Sequence, residues 1–431
     1  MNKSRLFKKT VIATTIALAS QQAIAAGFQL NAQSATGLGR AFAGDAVIAD
    51  NASVMARNAA AMALFEETSL SVGVTTITSM IEVKDAKYTY ANALAGPSAG
   101  YMSTVDSNFS NAGDTSVVPN LHVIVPLNEK FAVGANVYSN FGTKTQFDDT
   151  FVGAEYGGLT DVKSMNIGLA GSYRINEQLS IGAGLDIIYG SGKMQRKLSD
   201  KLTHVPVSTS PVVIRDLSGQ TALDVDASGW ALGFNLGTVY ELDENNRFGL
   251  SYRNSPTLKA KGDVTASKGV SKDDTLLMPL PDMAEFSGYH RLDGTDFAVH
   301  YSVQWIGWSV FEKLEAEKAG VLNEYKWQNG MHYSIGGTYF VSQDWTVRAG
   351  YMHDTSAQDE LTSISVPDSN RNWLSAGFTY NLDSQSNVDF GATYLLGQDV
   401  KVSENNLPLS KIEGTTRADA ILLGVQYSRT F

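Results

Sequence analysis

The sequence predicts an all-β fold: an antiparallel transmembrane β-barrel of about fourteen strands, with a small, partly helical N-terminal plug in its lumen. Three observations carry that prediction. Short polar turns punctuate the chain at Asn128-Glu129-Lys130, Asn176-Glu177-Gln178, Asp243 to Asn246, Asp293-Gly294-Thr295, Ser342-Gln343-Asp344 and Asp383 to Asn387. Between them apolar and polar residues alternate singly, which is the period of a strand. The apolar face is also the bulky one. Trp230, Leu232, Phe234, Leu236 and Tyr240 share one side of their segment, while Ala231, Gly233, Asn235 and Gly237 share the other. With few helices to cover so many apolar faces, lipid is the natural cover.

The chain opens with Lys3, Arg5, Lys8 and Lys9, then an apolar run from Val11 to Ala19 and small residues at Ala23-Ile24-Ala25. That order reads as a secretory signal peptide cleaved after Ala25. The run is too short for a spanning helix, and no later segment is apolar enough to be one. Without residues 1–25 the chain holds 29 basic and 44 acidic residues, a net charge of −15. No basic patch is left for nucleic acid. The absence of cysteine rules out disulfides and thiol chemistry.

Strands are expected near 69–83, 116–126, 131–144, 161–175, 178–199, 226–242, 247–260, 282–292, 296–316, 324–340, 345–354, 371–382, 387–402 and 416–431. Six tight turns pair twelve of them, and one strand at each end closes the sheet with both termini on the turn side. The long connections (84–115, 145–160, 200–225, 261–281, 317–323, 355–370 and 403–415) then share the opposite, extracellular side. In the last strand Ile421, Leu423, Val425, Tyr427 and Phe431 line one face, joined by Arg429 at headgroup level. Ending on an aromatic residue resembles the signal read by the outer-membrane assembly machinery.

Residues 26–67 show no alternation and are rich in Ala, Gly, Asn and Ser, with short helices expected around Ala46–Arg57 and Ala59–Phe65. They read either as a periplasmic tail or as a compact plug. The plug is favoured, because a lumen this wide is not filled by the strands' own side chains. The resulting division is a signal peptide at 1–25, a hatch at 26–67 and a barrel at 68–431. Gly37-Leu38-Gly39-Arg40 with Gly44 lacks the preceding strand of a dinucleotide loop, and no cofactor is expected. The six histidines show no metal-ligand spacing, and no serine elbow occurs, so the chain does not read as an enzyme.

Several motifs together resemble the FadL-type long-chain fatty acid transporters of the bacterial outer membrane. They are Ala26-Gly-Phe-Gln-Leu30, Gly37-Leu-Gly-Arg-Ala41, Asn140-Phe-Gly142, Leu280-Pro-Asp-Met283 with Ser287-Gly-Tyr289, and Ser365-Val-Pro-Asp368 through Ser375. One departure is Asn58-Ala59-Ala60, where such proteins usually carry Asn-Pro-Ala. Losing that proline frees φ and restores a backbone donor.

The resemblance implies a monomeric barrel in outer-membrane lipid and lipopolysaccharide, closed by a hatch. Passive uptake would begin in an apolar loop groove and continue in a lumen pocket. Hatch movement and sideways release at a kinked third strand would follow. Lys193 and Arg196 match basic positions near the ligand head group, or else are solvated strand-end charges; Ser139 is a further donor, and Gln328, beside Lys326, takes another head-group position. Leu202, Val205 and Val207 in one loop, with Leu276, Leu277, Met278 and Leu280 in the next, are the outer-groove candidates, or simply pack the loops together. Gly142 is the kink candidate. Asp368 is expected to hold Ala26, Gly27 and Phe28 closed, with Arg371 nearby and Asn58 in the hatch. Relatives that import aromatic hydrocarbons, a general porin and a barrel lipase are the alternatives.

Overall fold

The computed structural model describes residues 27–209, 212–266 and 269–431; the expected signal peptide and Ala26 lie outside them. Fourteen antiparallel strands close into one barrel. They are β1 (Ser69–Ala91), β2 (Thr115–Pro126), β3 (Phe131–Tyr138, resuming at Gly142–Gln146), β4 (Leu159–Arg174), β5 (Leu179–Lys197), β6 (Thr221–Glu241) and β7 (Asn246–Asn254, resuming at Thr257–Ala266). The second half comprises β8 (Gly269–Pro279, resuming at Met283–Arg291), β9 (Phe297–Ile306), β10 (Gly330–Phe340), β11 (Trp345–Asp354), β12 (Arg371–Asn381), β13 (Ser386–Gly397, resuming at Val400–Asn406) and β14 (Ser410–Thr430). Closure is made by β1 against β14, from Ser69 opposite Thr430 to Tyr90 opposite Ser410.

The alternation explains the belt. Along β6, Leu232 is 73% exposed on the outside, while Val239 is fully buried and Asn235 nearly so on the inside. Aromatic pairs collect beside the short turns: Phe131 with Tyr173, Phe297 with Tyr339, and Trp345 with Tyr380, at 4.4–4.7 Å between ring centres. Such rings suit the membrane–water boundary. Arg429 sits 5.3 Å from the Phe431 ring at the same rim.

Three strand readings are corrected. Residues 261–281, expected as a loop, are largely the hairpin between β7 and β8, Thr257–Ala266 against Gly269–Pro279. Their pattern is inverted: Leu258, Ala260 and Val264 face inward and are buried, while Lys259, Lys261 and Asp263 face out. Above the lipid the outside is water and the inside is packed, so the usual polarity reverses. The strand expected over 296–316 ends at Ile306, where a 3₁₀ turn spans Trp308–Val310. The continuous strand expected over 131–144 is broken at Ser139-Asn140-Phe141. The β7 and β8 breaks lie side by side at Ser255-Pro256 and Leu280-Pro281-Asp282, where proline cannot supply ladder hydrogen bonds. The Asp282 carboxylate accepts from Ser255 N (2.9 Å), from Asn254 Nδ2 (3.1 Å) and from the Tyr252 hydroxyl.

Residues 27–65 fill the lumen. Helix α1 (Ala35–Gly39) is capped by Ser34, whose Oγ accepts from Gly37 N at 2.7 Å. Two 3₁₀ helices follow, Ala52–Ala56 and Ala59–Leu64. Asn58 caps the second: its Oδ1 accepts from Ala60 N, and its Nδ2 donates to Ala46 O and Thr238 O. Ala59 is thus the first helical residue, where proline is permitted but not required. The turn therefore forms around Asn58 without it. Gly237 makes this contact possible, since a Cβ there would fall 1.9 Å from Asn58 Oδ1. Within the plug Arg40 pairs with Asp45 and Asp50 (2.8 Å each), and Arg348 of the wall reaches Asp50 (3.5 Å).

Candidate ligand site in the barrel lumen

The β3 break adds one residue relative to β4. Tyr138 lies opposite Asn166 and Gly142 opposite Lys163, so three residues of β3 span two of β4. Below the break β3 pairs with β2 through Leu121–Pro126; above it, among the described residues, Gly142–Gln146 ladders only with β4. The wall is thus interrupted beside residues 115–120. The first described plug residues occupy the break. Leu30 N donates to Asn140 O and Gly142 N donates to Phe28 O, both at 2.7 Å. Gly142 is therefore the first residue after the kink, and the kink itself is made by Ser139, Asn140 and Phe141.

Gly27 adopts φ +59°, and a side chain there would strike Trp308 and Trp327, each 2.7 Å away. That turn aims Phe28 into an aromatic cage. Its ring centre lies 4.5 Å from Trp308, 5.4 Å from Phe311, 5.6 Å from Trp327 and 6.2 Å from Phe141. Phe28 forms one wall of an apolar cavity completed by Val162, Met194, Val225, Leu276, Met278, Leu314 and Tyr325. Edge-to-face aromatic packing of this kind contributes about 0.5–1.5 kcal/mol per pair beyond area burial.

The candidate head-group residues do not converge. Even-numbered residues at the top of β5 face in, so Met194 and Arg196 point to the lumen. Lys193 faces out, 44% exposed and 4.0 Å from Asp226, so it stands away from the cavity. Arg196 is buried. Its guanidinium donates to Leu159 O (2.5 Å), Gln195 O (2.9 Å) and Thr160 Oγ1 (2.6 Å), and Thr160 lines the cavity. Among the described residues no carboxylate forms an ion pair with it. Ser139 is buried within the break. Gln328 is exposed and held by the next loop, its N donating to Ala357 O and its Nε2 to Ser356 O.

The loop candidates also divide. Leu202 and Val205 are buried against Ala91, while Val207 is half exposed at the hairpin Val205–Thr209/Val212–Arg215. Leu276 and Met278 line the inner cavity, Leu280 joins the same buried cluster, and Leu277 faces away from it. Only the second set therefore touches the lumen site. Asp368 and Arg371 form a buried pair at 2.6 Å, with Arg371 also 3.2 Å from Asp354. The Asp368 carboxylate further accepts from Ala357 N (2.7 Å) and Ser356 Oγ (3.0 Å), bracing loop 355–370. The partners found for Gly27 and Phe28 are instead the aromatic cage and the β3 break.

Sequence reasoning missed the cage residues Trp308, Phe311 and Trp327. The non-alternating Gly307-Trp308-Ser309-Val310-Phe311 inside an expected strand was the available signal.

Residues 16–431 match the family described as outer membrane protein transport protein (OMPP1/FadL/TodX). The chain is 35% identical over 428 residues to a long-chain fatty acid transport protein of Salmonella typhi, covering 94% of this chain and 95% of that one. It is 34% identical to outer membrane protein P1 of Haemophilus influenzae, covering 99% of each. Among solved structures, a Pseudomonas aeruginosa FadL homologue superposes with a TM-score of 0.82 at 20% identity, covering 94% of this chain and all of that one. The Pseudomonas putida toluene transporter TodX does so with 0.65 at 17%, covering 94% and 100%. A closed fourteen-stranded barrel, its lumen occupied by the N-terminal segment, and a match over nearly the whole sequence lead to one conclusion: the chain is an outer-membrane β-barrel and belongs to the OMPP1/FadL/TodX family of transport proteins.

Proposed function

We propose that this protein carries long-chain fatty acids across the outer membrane by diffusion through its lumen cavity and out through the β3 break. The observation that carries the reading is a single aromatic residue, Phe28, standing both in the apolar cavity and, through its carbonyl, on Gly142 at the interrupted wall. Relatives bearing the name of long-chain fatty acid transport proteins support the ligand class.

An acyl tail gains about 0.8 kcal/mol per methylene removed from water, so roughly sixteen carbons gain on the order of 10 kcal/mol before association costs. Capture is therefore easy, and release needs a device. Displacing Phe28–Leu30 frees the backbone groups of Asn140 and Gly142 and reshapes the cavity in one movement. The tail then passes sideways into lipid without meeting water. Arg196, reaching the cavity through Thr160, is the cation for the carboxylate; Lys193, on the outer face, is the cation an incoming anion meets first. Ser139 lies on the exit path. Exposed Val207 belongs to the outer capture surface, and Leu276 and Met278 to the pocket itself. The working form is a monomer in outer-membrane lipid and lipopolysaccharide.

A second reading, import of neutral aromatic hydrocarbons, is favoured by the rings of Phe311, Tyr325 and Trp327 in the cavity wall. Mass spectrometry of the molecule that co-purifies with the protein separates the two. Fatty acids of long chain are expected, and a mixture of arenes with no fatty acid would overturn the first reading.

A further inference from the structure

The pinned segment, through Gln29, and the break, through Tyr138 and Asn140, also border a second chamber of a different character. It is walled by polar groups from plug and barrel. Gln29, Gln33, Tyr138 and Asn140 are each 4% exposed or less. Both polar atoms of the Asn140 amide, the Tyr138 hydroxyl, and the Oε1 atoms of Gln29 and Gln33 have no partner among the described residues. Two guanidiniums border the chamber, but both are already matched. Arg253 pairs with Asp186, and Arg57 lies 3.4 Å from Glu285 and 3.5 Å from Asp45.

Unpartnered buried polar atoms are costly, so a group that supplies both donor and acceptor is favoured there. A carboxylate is not that group, because the local cations are already neutralised by acids and a further buried negative charge would stand uncompensated. We infer that this chamber is a transit site for the neutral, hydrogen-bonding head group of an amphiphile, a hydroxyl or an undissociated carboxyl. The inference rests on the transport reading above and adds a second station to it. Phe28 closes the apolar cavity and its neighbour Gln29 faces the polar chamber, so releasing one short segment joins the two. The head group then moves to the amide and phenol groups while the tail remains in apolar surroundings.

The test uses the mature protein in detergent micelles and two photoreactive probes. One is hexadecanol with a diazirine on the carbon beside its hydroxyl; the other is hexadecanoate with a diazirine at its methyl end. The alcohol probe is expected to label the segments around Gln29–Gln33 or Tyr138–Asn140. Tyr138→Phe and Asn140→Leu should each lower that labelling about fivefold, the size of one lost hydrogen bond. Labelling of the apolar cavity by the tail probe should be unchanged in both, which also shows that the variants are folded. Cavity labelling without any chamber labelling, or chamber labelling that neither substitution alters, would overturn the transit site and leave the transport reading standing. No labelling at either place would overturn both.

Discussion

In the proposed mechanism, binding turns on two residues, Phe28 and Arg196. Truncating Phe28 to alanine removes a ring from a packed cage, a change that ordinarily costs about 3–5 kcal/mol. The loss falls on the pinned segment, so the amide hydrogens of Leu30 and Gly142, bonded to Asn140 O and Phe28 O, should exchange with solvent markedly faster. Unchanged protection by hydrogen-exchange mass spectrometry would show that the cage does not hold the segment. Arg196→Met keeps the stem and removes the charge. Hydrogen bonds to charged groups contribute about 1.5–3 kcal/mol, so hexadecanoate affinity should drop roughly tenfold or more while hexadecanol affinity changes little. An equal drop for both ligands in a titration would remove Arg196 from the head-group role.

At the scale of elements, the break in β3 and the crown of loops behave differently. Gly142→Leu places a bulky side chain where the wall resumes. Uptake by cells should stop while surface binding persists, and normal uptake by an assembled variant would exclude the side exit. In the crown, Glu404 lies on Val400–Asn406, beyond the membrane belt, and accepts a hydrogen bond from Ile364 N at 2.6 Å. Burial raises its pKa to about 7, opposed by that bond and by Arg196. The folded crown therefore binds the proton more tightly than the unfolded chain does. Its contribution to stability is present below the ordinary carboxylate range, near 4.5, and fades as pH rises through 7. Loop 355–370 should accordingly resist proteolysis better at pH 5 than at pH 8, and Glu404→Gln should abolish most of that difference. Cleavage rates at the two pH values decide it.

For the molecule as a whole, the belt implies that the mature chain stays dispersed only in detergent or lipid. Sedimentation of a soluble, detergent-free monomer would contradict the membrane-spanning architecture. The barrel was legible because its defining pattern is local: Trp230, Leu232, Phe234 and Leu236 announce a lipid-facing strand by themselves, and six polar turns count the strands. The crown was harder to read because Leu258 and Val264 point inward while Lys259 and Lys261 point out. Taken with neighbouring Pro and Gly residues, that looks like a loop. The site was the least legible part. Nothing in one strand's alternation says that Phe28 will meet Trp308, Phe311 and Trp327, residues far away in sequence that only closure of the sheet brings together. Lys193 and Arg196 show the same limit in miniature, since three positions along a strand reverse the direction of a side chain.

The change from Asp224 and Asp226 to Trp230 and Leu232 along one outward face of β6 amounts to a waterline painted on the hull. A bilayer only slightly thicker would submerge Asp226 beside Trp230 and Leu232, at a cost that grows with each ångström of mismatch. The vessel therefore rides at one draught, and the break in β3 lies at a depth set by the surrounding lipid as much as by the protein.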